Sequence, residues 1–426
     1  MRNKHCLFLT VALGGLLLAS CGKKTDVLSN QAGSSNEGLK LGVLLPLTGD
    51  LSAIGQNLPV AAKLAVNQVN ACGGVNGHPV AIFSEDDGTD PSVGASAMTK
   101  LTEINNVDGV IGSFASSVSG AAVDIAVRNK VMMVSPGSTS PVFTQRAKKG
   151  ELKGYWARTA PPDTYQAAAL AFLAHKKGFK RVSTVVINND YGVGFEQAFV
   201  KAFEKLGGTV INKNKPVRYD PKAATLDSEA AASLAGKPDA VMAAVYEDTG
   251  SLLLQAAYKQ GLSKGVPFLL TDGVYSQEFT KKLGTTPDKK SIIAGSFGTV
   301  PGAHGKALAQ FTQLWKQKTH KEVTAYVPQT WDATVLLMLS AQSGKNNSGD
   351  ALKSHIREVS GDSAGQPVSD PCLGLKLLKE GKKIKYQGAS GDLAIDPYGD
   401  VVGSYDVWQV QDNGKLKIVD NVTPNP

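Results

Sequence analysis

A chain of 426 residues, 42% hydrophobic and 19% charged, has material for two domains with cores of their own. The formal net charge is +8, yet Lys and Arg are scattered, mostly as pairs such as Lys148-Lys149, with the densest stretch at Lys379 to Lys385. That distribution argues against nucleic-acid binding and fits solvated faces or a weak attraction to anionic lipid. Past the N-terminus no apolar run is long enough to cross a bilayer as a helix.

The first residues read as a signal. Arg2, Lys4 and His5 make a polar, basic start, and Cys6 to Ala19 is almost wholly apolar but short for a bilayer span. Leu18-Ala19-Ser20-Cys21 then has the order of a lipobox, in which residues 1–20 are removed and Cys21 carries lipid; the alternative is an ordinary secretory signal followed by an unrelated cysteine. Gly22 to Gly38, rich in Ser, Asn, Gly and Lys, reads as a flexible tether. The mature chain is thus expected to be exported. In an oxidising compartment its remaining cysteines, Cys72 and Cys372, are candidates to pair across a very long loop; the alternative is two buried free thiols.

From Leu39 onward strand and helix signals alternate, as in parallel sheets covered by helices. Leu39 to Leu45 is a strand. Leu58, Ala61, Ala62, Ala65, Val66 and Val69 recur at helical spacing, and Gly73-Gly74 stops that helix. Val80 to Phe83, Val107 to Ile111 and Val131 to Val134 are further strands. The pattern then repeats: strand Arg181 to Ile187, a helix face of Phe195, Ala198, Phe199, Ala202, Phe203 and Leu206, a stop at Gly207-Gly208, and strands Thr209 to Ile211, Ala240 to Val245 and Val266 to Leu270. Two α/β units of similar design follow one another.

In open α/β sheets ligands bind beyond the carboxyl ends of the strands. The first unit's loops there, Pro46 to Asn57, Ser113 to Ser119 and Ser135 to Pro141, supply hydroxyls and glycines. The second unit's loops supply Tyr191, Tyr246, Glu247 and Asp272. Facing each other, one wall suits an anion and the other a cation, which fits a zwitterion such as an α-amino acid. Taken singly, Ser116-Ser117 and Ser135 to Pro141 also read as ordinary caps and turns, and Asp272-Gly273 as a turn. Tyr191-Gly192-Val193-Gly194 is half a dinucleotide fingerprint, with Gln197 where a third glycine belongs. His78, His175, His304, His320 and His355 lack metal-ligand spacing, and no nucleophile with its base stands out, so no metal, no cofactor and no catalytic residues are expected.

Leu47-Thr48-Gly49, Ile54-Gly55, Ala71 to Gly77, Ser135 to Pro141, Asn188 to Gly192, Thr271-Asp272-Gly273 and Tyr386 to Gly391, together with the lipobox, resemble type I periplasmic binding proteins, in particular the leucine/isoleucine/valine-binding proteins of ABC importers. The resemblance implies two Rossmann-like lobes with parallel, helix-flanked sheets joined by three crossover hinges, near Ala160 to Asp163, Gly295 to Phe297 and Gly399 to Gly403. Lobe one would be 39–161 plus 297–398, and lobe two 162–296 plus 399–426. It implies that Ser116, Ser138 and Thr139 meet the ligand carboxylate, with Ser138 and Thr139 using backbone N–H and hydroxyl. It implies that the Gly137 carbonyl and Asp272 meet the ammonium, Asp272 standing for the family's usual glutamate. Tyr191 and Tyr246 would close over the ligand, and Ile54 would line its side-chain pocket. Glu247 beside Tyr246 would suit a polar or cationic ligand. The implied role is a non-enzymatic, lipid-anchored, monomeric binding protein outside the cytoplasm of a bacterium, handing an amino acid to a membrane permease. The other readings are a sensor or a binder of urea, amides or an aromatic acid, and an exported hydrolase.

Overall fold

The computed structural model describes residues 38–361 and 363–424. The signal and the lipidation at Cys21 lie outside the described residues, as does all of the tether but Gly38.

The first lobe is built on a five-stranded parallel sheet of β1 (Lys40–Leu45), β2 (Ala81–Asp86), β3 (Gly109–Gly112), β4 (Met132–Ser135) and β5 (Trp156–Arg158), in the order β2-β1-β3-β4-β5. Its central strands are buried on both faces, which is why β1, β3 and β4 read as nearly continuous apolar runs. The helices Leu58–Ala71 and Val327–Gly344 pack on each other, the latter also against β3 and β4. The helix Val327–Gly344 is buried from Val327 to Gln342, all round its axis.

The second lobe holds β6 (Arg181–Ile187), β7 (Thr209–Val210), β8 (Val217–Tyr219), β9 (Ala240–Ala244), β10 (Phe268–Leu270) and β11 (Phe297–Pro301). A small sheet of β12 (Gln366–Val368), β13 (Ile384–Gly388) and β14 (Gly391–Asp392) follows in the chain, and then β15 (Tyr405–Val410) and β16 (Leu416–Val422). These last two join the second sheet, whose order is β16-β15-β11-β10-β9-β6-β7, with β8 also on β6.

Two expectations change here. The second sheet is mixed, because β15 pairs antiparallel with both β11 and β16. Phe297 does not begin a return to the first lobe: β11 is bonded between β10 and β15, so the second crossover follows Pro301. The segments 160–163 and 399–403, where the resemblance implies the other two crossovers, are tied to each other. Arg158 at the end of β5, wholly buried, pairs with Asp400 at 2.7 Å and donates to the Ser138 and Ser140 carbonyls. The Arg158 backbone N–H donates to Gly399 O, and the Tyr405 hydroxyl to Pro162 O. Cys72, just past the helix Leu58–Ala71, and Cys372, in the helix Pro371–Lys379, are joined by a disulfide. Among the described residues no helix is long and apolar enough to cross a membrane.

Candidate functional site

The carboxyl ends of the parallel strands of both sheets converge on one cleft, and the cleft is closed. Ser140 Oγ, after β4, donates to Asp190 O, after β6, at 2.8 Å; Asp163 N donates to Thr139 O, also at 2.8 Å. Ser116, Gly137, Ser138, Thr139, Tyr191, Tyr246 and Asp272, with Glu247, are all buried at these strand ends. Ile54 is buried in the short helix Ser52–Gly55 and belongs to the main hydrophobic core.

The two ends expected for a zwitterion differ in how they are satisfied. On the hydroxyl side, Thr139 Oγ1 is buried and makes no hydrogen bond. Ser116 Oγ accepts from Ser140 N at 3.2 Å, which leaves its own proton to donate. Ser116 is the first residue of the helix Ser116–Arg128, whose N-cap, Ala115, provides no side-chain acceptor. The first-turn amides are therefore open to an external anion. Ser138 differs from its expected role. Its backbone N–H donates to Ser135 Oγ at 2.8 Å, and its hydroxyl donates to Ser113 O and Phe114 O and contacts Ser119 Oγ. Both groups are spent on fixing the loop, a distinction that hydroxyl-rich composition cannot carry. Gly137 is required by packing: a Cβ there would stand 2.3 Å from the Phe114 ring.

On the acidic side Asp272 is held by three donors: Gln166 Nε2 at 2.8 Å, the Tyr191 hydroxyl at 3.0 Å and the Tyr326 hydroxyl at 2.6 Å. Burial still raises its carboxyl above the ordinary range, against the pull of those donors. The Tyr191 hydroxyl also lies 2.7 Å from Thr271 Oγ1, and its ring stacks on Tyr246 with centroids 5.4 Å apart. Gly273 lets this turn approach, since a Cβ would lie 2.6 Å from the Val245 carbonyl oxygen.

Three residues that the sequence reading passed over complete the site. Asp163 begins the helix Asp163–Lys176, is wholly buried, and has neither carboxylate oxygen hydrogen-bonded. Burial first, and then the neighbouring Asp272 charge, push its carboxyl well above the ordinary range; the Thr139 hydroxyl, close by but outside hydrogen-bond geometry, and the Arg158 charge pull the other way. Gln166, one turn along that helix, bridges Asp272 to Thr299 O. Tyr326 heads the long buried helix in the left-handed region (φ 66°), with its ring edge-on to Phe114 at 4.7 Å. Such a backbone costs about 1 kcal/mol or more in a non-glycine residue and marks a constrained position. The only local signal was Pro161-Pro162-Asp163, an acid at a helix start directly after a crossover. Among the described residues no group of three or more His, Cys, Asp or Glu is placed to hold a metal ion.

The chain matches the family described as the receptor family ligand binding region over residues 57–413. It is 27% identical over 405 residues to the Leu/Ile/Val-binding protein homolog 1 of Brucella abortus, covering 93% of each chain. The leucine-binding protein of Thermotoga maritima superposes with a TM-score of 0.75 at 26% identity, over 91% of this chain and 99% of that one. A solute-binding protein of R. palustris solved with 4-hydroxybenzoate superposes with a TM-score of 0.73 at 20% identity, over 92% and 98%. The chain therefore belongs to the receptor family ligand binding region family, as a solute-binding protein of the type I periplasmic kind.

Proposed function

We propose that this protein is the substrate-binding component of an ABC importer and that it captures an L-α-amino acid, branched-chain or related, between its lobes. The observation that carries the reading is Asp163: a wholly buried carboxylate with no hydrogen bond, beside a second buried carboxylate, Asp272. Buried charge of one sign calls for a partner of the other, and a ligand ammonium supplies it. The Ser116 hydroxyl and the amides opening the helix Ser116–Arg128 would receive the ligand carboxylate, with Thr139 Oγ1, which adjoins Asp163, between the two ends. Tyr191 and Tyr246 would cover the ligand, the Gly137 carbonyl would be a further acceptor for the ammonium, and Ile54 would border the side chain. The amino-acid-binding relatives support the same class.

An aromatic acid or a neutral amide would leave Asp163 and Asp272 with no cation but the nearby Arg158, which is itself paired with Asp400, so the pair argues against both. In this reading the closed form docks on a membrane permease, and lipid on Cys21 keeps the monomeric trap at the membrane surface. A thermal-shift screen against the protein amino acids, urea, short amides and benzoates tests it. A true ligand at a hundred times its Kd adds about 2.7 kcal/mol of stability. A melting shift with an amide or a benzoate, and with no amino acid, would refute the amino-acid reading.

A further inference from the structure

The helix Glu247–Lys259, which follows β9 in the second lobe, starts without a cap of its own. Its N-cap residue is Tyr246, which makes no side-chain bond to the first turn, where Ser, Thr, Asp or Asn would. The missing acceptor comes from the other lobe. Asp50, in the loop after β1, takes hydrogen bonds from the Asp248 and Thr249 backbone amides on Oδ1, the second at 3.3 Å, and from the Thr249 hydroxyl on Oδ2 at 2.7 Å. One carboxylate thus meets three donors at a positive helix end. The helix it caps is the one that Tyr246 heads, and Tyr246 stacks on Tyr191, whose hydroxyl donates to Asp272.

Deeper in the cleft the Tyr326 hydroxyl also reaches across to the Asp272 carboxylate at 2.6 Å, but the remaining links at this outer edge are weaker in kind. Lys222 pairs with Asp90 at 3.0 Å but is almost fully exposed, so the pair contributes little. The Ser140 bond to Asp190 O is a single neutral one. When the cleft opens, the two amides lose Asp50 and the N-cap side chain does not replace it, while the Thr249 hydroxyl keeps the second-lobe Tyr219 hydroxyl at 3.0 Å.

We infer that Asp50 is a closure latch: it caps, from the first lobe, a second-lobe helix that has no cap of its own, and so holds Tyr246 and Tyr191 in the closed position. Asp50 is a positioning residue, not a ligand contact. The inference rests on the amino-acid reading only for its affinity readout, because a residue that stabilises the closed state raises apparent affinity by enlarging the competent population.

The test compares wild type with Asp50→Ala and Thr249→Val, with an equimolar mixture of the twenty protein L-amino acids as probe. Asp50→Ala should raise the half-saturating concentration about tenfold, in line with the worth of an N-cap. It should speed amide exchange in residues 246–251 and leave the melting temperature of the ligand-free protein nearly unchanged. Thr249→Val should weaken binding in the same direction, and the double variant should be no worse than Asp50→Ala alone. Unchanged affinity and unchanged exchange in Asp50→Ala would overturn the latch. If wild type does not respond to the mixture, the amino-acid reading fails by itself. The latch is then judged on the ligand-free protein, where Asp50→Ala must still loosen residues 246–251 and enlarge the radius of gyration in small-angle scattering. Identical values for the two proteins would overturn it.

Discussion

Replacing Asp163 by Asn should weaken ligand binding while leaving the ligand-free protein at least as stable. Asp163 is wholly buried, and both its oxygens lack hydrogen bonds. Its carboxyl is pushed well above the ordinary range by burial and by Asp272. In the ligand-free closed form it is therefore a cost, offset in part by the Arg158 charge and relieved by taking up a proton. Asn keeps the shape and exchanges an unpartnered ionisable carboxyl for a neutral amide; an unsatisfied buried polar group costs about 1–3 kcal/mol, so the gain in unfolding free energy is at most of that size. Toward a ligand ammonium the sign reverses. Removing one side of a buried hydrogen-bonded charge pair costs about 2–5 kcal/mol, a rise in Kd of roughly 30-fold to several thousandfold. Calorimetric titration and thermal unfolding read the two effects separately. Titration in two buffers of different ionisation enthalpy should also detect protons released on binding in wild type, because the incoming cation lowers the Asp163 pKa, and fewer in Asp163→Asn. Asp272→Asn is the contrast: it strands donors from Gln166, Tyr191 and Tyr326, so affinity and stability should fall together. If Asp163→Asn binds within threefold of wild type, or loses stability as Asp272→Asn does, the assignment of Asp163 to the ammonium is refuted.

Two further outcomes follow from structure outside the cleft. The Cys72–Cys372 bond closes a loop with a sequence separation of 300 residues, so replacing both cysteines by Ala should lower the unfolding free energy by up to about 5 kcal/mol. Ligand affinity should hold, because Cys72 lies where the helix Leu58–Ala71 has run back to the amino-terminal edge of the sheet; a tenfold affinity loss would contradict that separation. Asp332, buried in the helix Val327–Gly344, accepts from the Tyr386 hydroxyl, Ala389 N, Ser390 N and the Ser390 hydroxyl, yet burial pushes its pKa to about 6 from 3.8. The folded state thus holds the proton more tightly than the unfolded one. Its contribution is fully present below pH 3.8 and is lost as pH rises through about 6, a change of about 3 kcal/mol. Denaturant unfolding of wild type and Asp332→Asn between pH 4 and 7.5 should show the variant gaining on wild type by that amount as pH rises; parallel curves would refute it.

Much of this architecture can be read from the chain because parallel strands buried on both faces leave a nearly continuous apolar trace. β1, β3, β4, β6 and β9 fall within a residue or two of where Val, Ile, Leu and Ala cluster. What failed to show was non-local. β11 has no sequence feature that decides between lobes; its place is set by pairing with β15, more than a hundred residues later. β15 alternates burial imperfectly because its register with β16 shifts between Val407 and Trp408. In the site, Tyr191, Tyr246 and Asp272 could be picked out because each lies within four residues after the end of a strand. Asp163 and Tyr326 could not: each has an adequate local reading, as a helix-opening acid and as a residue ahead of a proline-started helix. Their burial and their nearness to Asp272 come from packing between segments 54 to 109 residues apart. Ser138 failed for the opposite reason, since its hydroxyl and its N–H both turn back into the loop that made it look available.

The acid pair and the proposed latch act on the same equilibrium with opposite signs. Closing the empty cleft buries Asp163 and Asp272 together with no cation between them, which opposes closure at any pH where both would ionise. The Asp50 cap favours closure whether or not ligand is present. A ligand cation removes the first term and leaves the second, so the population shift on binding depends on how costly the empty closed state is as well as on the contacts the ligand makes. A solute without a cation gains the cap but not the relief, and its closed complex keeps an uncompensated carboxylate pair. On this account selectivity for the ammonium lies in the penalty that Asp163 imposes in its absence. Asp163→Asn should therefore narrow the gap between amino acids and neutral analogues chiefly by letting the analogues close the cleft more easily.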